Sequence, residues 1–174
     1  EIDKQPGNPY LHIFLSKIYQ HLMEYPKAVI CIEKAMKLDK QHEDRYRLFH
    51  DAMIKNLHTC EKKLIESINV HIKNKQCSEA IRDAEQLLKI IPDKESYQTV
   101  FIKVIEKSIS IFLAEENIDA AVMLMDRLTT LKGQYPHVPV QIEAIKKQIS
   151  DTRIKVYEDI ISRQTLTGDE LNRI

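Results

Sequence analysis

Glycine is scarce in this chain, three residues in 174, and tryptophan is absent. With so little glycine there is no glycine-rich turn to wrap phosphates, which excludes the common nucleotide-binding loops. No apolar run reaches the roughly 20 residues that a membrane-spanning helix requires. Charge of one sign is also missing: 26 basic side chains offset 26 acidic ones, and the two signs are interspersed throughout. That balance disfavours nonspecific nucleic-acid binding, which needs a net positive face. Cys31, Cys60 and Cys77 are odd in number and form no C-x2-C pair, so they read as reduced, mostly buried thiols of a cytoplasmic protein. A first residue of Glu1 in place of methionine suggests a piece of a longer polypeptide, and the lack of a leader then carries no information.

What the chain does have is helical periodicity in an ordinary globular composition, 43% hydrophobic and 30% charged. The most specific stretch runs from Asn8 to Lys40. Asn8 can cap a helix whose first turn accepts Pro9. Ile13 (with His12), Leu15, Ser16, Tyr19 and Leu22 then recur at helical spacing, and the pattern breaks at Glu24 to Pro26. Beyond the break Ala28, Ile32, Ala35 and Leu38 mark a second amphipathic helix. Small residues at Ser16, Ala28 and Ala35 let the two axes approach closely, and Tyr19 and Ile32 fill the space between them.

This set resembles a tetratricopeptide repeat, whose pattern is aromatic-x2-Leu-small-x2-Tyr, then Ala-x3-aromatic, then a second Ala and a Pro. The matching positions are His12, Leu15, Ser16, Tyr19, Ala28, Ile32 and Ala35, with Tyr25 at the turn. The departures are His12 for the usual Trp, Ile32 for Phe, and Lys40 where Pro commonly ends the unit. The resemblance implies an all-α fold of stacked antiparallel hairpins, a short solenoid of about seven helices.

Later segments fit that architecture without the motif. Tyr46, Phe49, Met53, Leu57, Cys60, Leu64, Ile68 and Ile72 predict one long helix over 43–73, with Asn56 to His58 as the only alternative break. Ser78 is a plausible cap for the helix carrying Ala80, Ala84, Leu87 and Ile90, which Pro92 stops. Asp93 can cap the next, and Ala121, Met125, Leu128 and Leu131 repeat the stripe of Ala28, with Gly133 as a C-terminal cap. Expected organisation is a linker over 1–8, hairpins over 9–38, 43–91 and 93–131, a final helix over 139–163, and a tail or further linker over 164–174. The whole helical domain spans 9–163.

Chemistry is thin. His42-Glu43-Asp44-Arg45 faintly suggests a phospho-acceptor histidine box, but it lacks the closing Pro, and acidic residues at a helix start are explained by the helix dipole. His50-Asp51 with His58 is too small a set for a metal centre. No enzyme, cofactor or metal is expected, and no nucleic acid or membrane. The resemblance instead implies a concave groove lined by first helices, where Ile13, Lys17 and Gln20, joined by Arg47, Asp51 and Lys55, would meet a peptide or partner helix. Ile13 and Lys17 stand where the carboxylate-clamping subfamily has Lys and Asn, so a different ligand is implied. The rival reading is a dimerisation or regulatory module of a multidomain signalling protein, pairing through the long helices.

Overall fold

The computed structural model describes residues 7–171, with side chains through residue 163. Among the described residues the fold is all-helical and carries no strand. The helices are α1 (Pro9–His21), α2 (Tyr25–Leu38), α3 (Glu43–Lys73), α4 (Cys77–Ile90), α5 (Glu95–Ala114), α6 (Ile118–Gln134) and α7 (Ile142–Leu171), with a 3-10 turn (Lys40–His42) before α3. Each helix packs chiefly on its neighbours in chain order, and α3 with α5 and α5 with α7 make lighter contacts. The expected linker falls largely on residues 1–6, which lie outside the described residues, as does the end of the expected tail at 172–174.

Three hairpins share one turn. At each, a first helix ends on a residue in the left-handed region: Met23 (φ 60°), Lys75 (φ 59°) and Glu116 (φ 57°). The amide of that residue donates three positions back, to Gln20, Ile72 and Leu113. The next amide reaches five back, from Glu24 to Tyr19 (2.9 Å), Gln76 to His71 (2.8 Å) and Asn117 to Phe112 (2.8 Å). This paired capping satisfies carbonyls that a helix end leaves open, and it usually employs glycine. Here Met, Lys and Glu adopt the conformation instead, at a backbone cost of about 1 kcal/mol each.

Because the turns are alike, the second helices start in the same register. Ala28, Ala80 and Ala121 each lie four residues past the turn's last residue and are fully buried. Ile32, Ala84 and Met125 follow one turn on, then Ala35, Leu87 and Leu128, all buried. An alanine at the first contact leaves room for the partner helix's Ser16, Ile68 or Ile109, each also buried. Leu38, the expected end of the first stripe, is instead exposed, because α2 ends there and the chain turns into α3.

Several boundaries differ from expectation. The first hairpin turns at Leu22 to Glu24, with Pro26 already inside α2, where its missing amide costs nothing. Gln76 precedes α4 in place of Ser78, and Lys94 precedes α5 in place of Asp93. Gly133 lies within α6, which Tyr135 closes. The final helix begins at Ile142, after the Pro136 and Pro139 loop, and continues through Leu171, so most of the segment expected as tail is helical. Asn8 does cap α1, its Oδ1 accepting from the Tyr10 amide at 3.0 Å. No break interrupts α3 near His58.

Polar ties fasten neighbouring hairpins. Glu61 of α3 accepts from Tyr97 Oη and Lys94 Nζ at the start of α5. Arg127 of α6 pairs with Glu85 of α4 while its guanidinium lies over the Phe101 ring, 5.2 Å from the centroid. Between α2 and α3, Asp39 accepts from Tyr46 Oη (2.8 Å) and contacts His42 Nδ1 (2.9 Å). The Tyr46 hydroxyl, aided by His42, holds the Asp39 carboxyl below the usual carboxylate range. Burial and that same carboxylate push the Tyr46 phenol up to about 12.

Candidate functional site

A cleft of about 230 Å³ opens between α1 and α3. One wall is Ile13, Lys17 and Gln20, and the other is Phe49, Ala52 and Asn56. Ile32 and Met53, both buried, form its floor. The Lys17 ammonium sits 5.7 Å from the centroid of the Phe49 ring, so a cation and an aromatic face share the mouth. Lys17 and His21 are the basic groups along the lining, and no carboxylate faces it.

Three of the six residues expected to line a groove therefore converge, and three lie elsewhere. Asp51 and Lys55 belong to an adjoining depression of about 500 Å³ on α3, with His50, His58 and Lys62. Arg47 is exposed and paired with Glu43 at 2.8 Å, one helical turn away. The reason is rotation: each helical residue advances about 100°, so 51 and 55 are turned by about that angle from 52 and 56 respectively, which face α1. Phe49 and Ala52 were not expected at the site. Their signal was their bearing relative to Tyr46, Met53 and Leu57, the buried stripe of α3.

The other candidates resolve into structure. His42 belongs to the Asp39 and Tyr46 bracket. His50 contacts its neighbour Asp51 at 3.3 Å, and among the described residues no three His, Cys, Asp or Glu side chains gather as metal ligands would. His12 is buried in the first hairpin. A serine, histidine and aspartate do meet without any spacing signal to announce them: Ser67 Oγ donates to Asp83 Oδ2 at 2.5 Å, and His71 Nε2 lies 3.5 Å from the same oxygen. The carboxylate is the hub, tying Ser67 and His71 of α3 to Asp83 of α4. Burial pushes the Cys31 and Cys77 thiols up, which keeps them protonated and poorly nucleophilic.

No helix among the described residues is long and apolar enough to cross a membrane. No family model matches the sequence, and neither curated proteins nor solved structures give a match.

Proposed function

We propose that this chain is a non-catalytic protein-interaction module of a larger cytoplasmic protein, a scaffold of tetratricopeptide-like hairpins that takes a peptide or partner helix in the α1–α3 cleft. The single observation that carries this reading is the cleft itself, where an exposed aromatic, an aliphatic floor and a lysine converge between two first helices. Concave sites with apolar lining and a few placed polar groups are where ligands dock, and helical hairpins offer them as extended surfaces. A random-peptide display library panned on the protein should enrich sequences whose binding is lost in Ile13→Glu. Enriched peptides indifferent to that change would place binding elsewhere, and no enrichment would remove the reading.

The rival, self-association, is favoured by one feature. Beyond Ile149, which is buried, α7 carries Ile154, Tyr157 and Ile160 on exposed positions. Light scattering across a dilution series separates the two readings, because a concentration-independent monomer leaves no room for pairing.

A further inference from the structure

The cleft is one side of a larger surface. Tyr10, Phe14 and Ile18 on α1 and Leu22 at its C-terminal cap repeat every fourth residue and are 64%, 64%, 39% and 62% exposed. Residues four apart share a helix face, so these form one stripe. The stripe abuts the cleft wall: Tyr10 and Lys17, like Phe14 and His21, are two turns apart on nearly the same bearing. Such a run of large apolar side chains on a soluble surface marks a contact.

The two other hairpins provide an internal control. Counted back from the shared turn, the same positions are Lys62, Glu66, Val70 and Asn74 on α3, and Lys103, Lys107, Ile111 and Glu115 on α5. Six of those eight are polar or charged, and seven are exposed. That bearing faces solvent in the repeated architecture, so hairpin packing does not explain why α1 alone is apolar there. Charge then specifies the occupant. Helix α1 has Lys17 and His21 near the stripe and no Asp or Glu anywhere in its length. Across the cleft, the second depression holds Lys55, Lys62, His50 and His58 with the carboxylate Asp51, and Lys62 is paired with Glu66 at 3.9 Å, which leaves Lys55 as the cation to recruit.

We infer that the outer face of α1 and the α1–α3 cleft together dock an acidic amphipathic segment of another protein, its apolar side chains along Phe14 and its carboxylates toward Lys17 and Lys55. This deepens the proposed function and rests on it. A protein segment fits better than an anionic bilayer because the cations lie to one side of the stripe and on two helices: Lys17 leans over Phe49 at the cleft mouth, and Lys55 lies in a second depression on α3, past the cleft's far wall. A flat surface touching the stripe would not reach both, whereas a chain laid across α1 would. Opposed charges at such a site mainly set which partner is accepted.

The test is the composition of peptides that the wild-type protein selects from an unbiased helical display library, followed by binding measurements on the best of them. Enrichment of Asp and Glu around aromatic and aliphatic anchors is expected. Phe14→Ser and Lys17→Glu should each weaken the selected peptide roughly tenfold, with circular dichroism showing unchanged folding. Lys17→Glu should in turn prefer a version of that peptide carrying Lys for Glu. Selected peptides without acidic enrichment, or indifferent to Phe14→Ser, overturn this inference while leaving the cleft as a peptide site. Failure to select any peptide removes the proposed function with it. Sedimentation with phosphatidylserine vesicles that is lost in Phe14→Ser would overturn it in favour of lipid.

Discussion

Helices α1 and α5 hold the same station, the first helix of a hairpin closed by the same turn, yet α5 buries eight side chains and α1 two. Register does not account for this, because Ser16 and Ile109 occupy equivalent buried positions. Neighbours do. Helix α5 packs on α4 and α6 with α3 and α7 alongside, whereas α1 packs mainly on α2. In a fold whose contacts run between neighbours, stability accumulates where a helix is covered on both sides. The end helix is held by half as many surfaces, and its free face is open to serve another purpose.

The strongest way to break this comparison is to empty a contact at each station. Ile105→Ala in α5 removes a fully buried side chain, and should cost about 2–5 kcal/mol by chemical denaturation. Phe14→Ala in α1 should stay within about 0.5 kcal/mol, because its ring is mostly in water. Comparable losses at both sites would mean that α1 is as enclosed as α5. Native-state hydrogen exchange should give the same order, with the α5 amides protected up to global unfolding and the α1 amides opening earlier.

A smaller effect follows from the alanines at the hairpin contact. Ala80→Leu and Ala121→Leu insert bulk where two helices meet on both sides, and should destabilise by about 1–3 kcal/mol. Ala28→Leu should cost less, since α1 is free to shift outward. Equal penalties would show that the first hairpin is as tightly fixed as the others.

These alanines also show what was legible in the sequence. Their spacing, with the apolar residues that follow, marks three second helices, and the stripe from Tyr46 to Ile72 marks the long α3, because helical period and close packing leave a direct mark on residue choice. The turns left none. A left-handed position is read from Gly or Asn, and here Met23, Lys75 and Glu116 fill it, so the residue types place the first turn two residues late and the α4 cap at Ser78 in place of Gln76; Asp93 misses the α5 cap by one residue, at a junction without a left-handed position. The site was half legible. Ile13, Lys17 and Gln20 follow from the bearing of a short helix with one buried face. Helix α3 is buried along one stripe and passes two neighbours, so which adjacent face meets α1 depends on tertiary rotation, and Arg47, Asp51 and Lys55 lie off the cleft.

The turn itself offers a test of fractional size. Met23→Gly, Lys75→Gly and Glu116→Gly relieve the left-handed strain but add freedom to the unfolded chain, and should each stabilise by no more than about 0.5 kcal/mol. The gain should appear in global unfolding for Lys75 and Glu116. At Met23 it should appear in local opening of the first hairpin, if that hairpin opens on its own.

The smallest effect concerns what ties that hairpin to the rest, the bracket in which Asp39 accepts from Tyr46 and His42. The folded Asp39 carboxyl is depressed, chiefly by the Tyr46 hydroxyl. Its contribution is therefore present above the ordinary carboxylate pKa and is lost as pH falls through the depressed value. The folded Tyr46 phenol is raised to about 12 by burial and by Asp39. Its contribution is complete below the ordinary tyrosine value of about 10 and disappears as pH rises through about 12. Tyr46→Phe removes the hydroxyl from both arms, so the stability gap between wild type and variant should be widest between these limits and should close toward either end. Because the bracket joins α2 to α3, the gap should be read most clearly in the amide exchange of α1 and α2. A gap independent of pH would mean that Tyr46 contributes only its ring, and that packing alone fastens the first hairpin to α3.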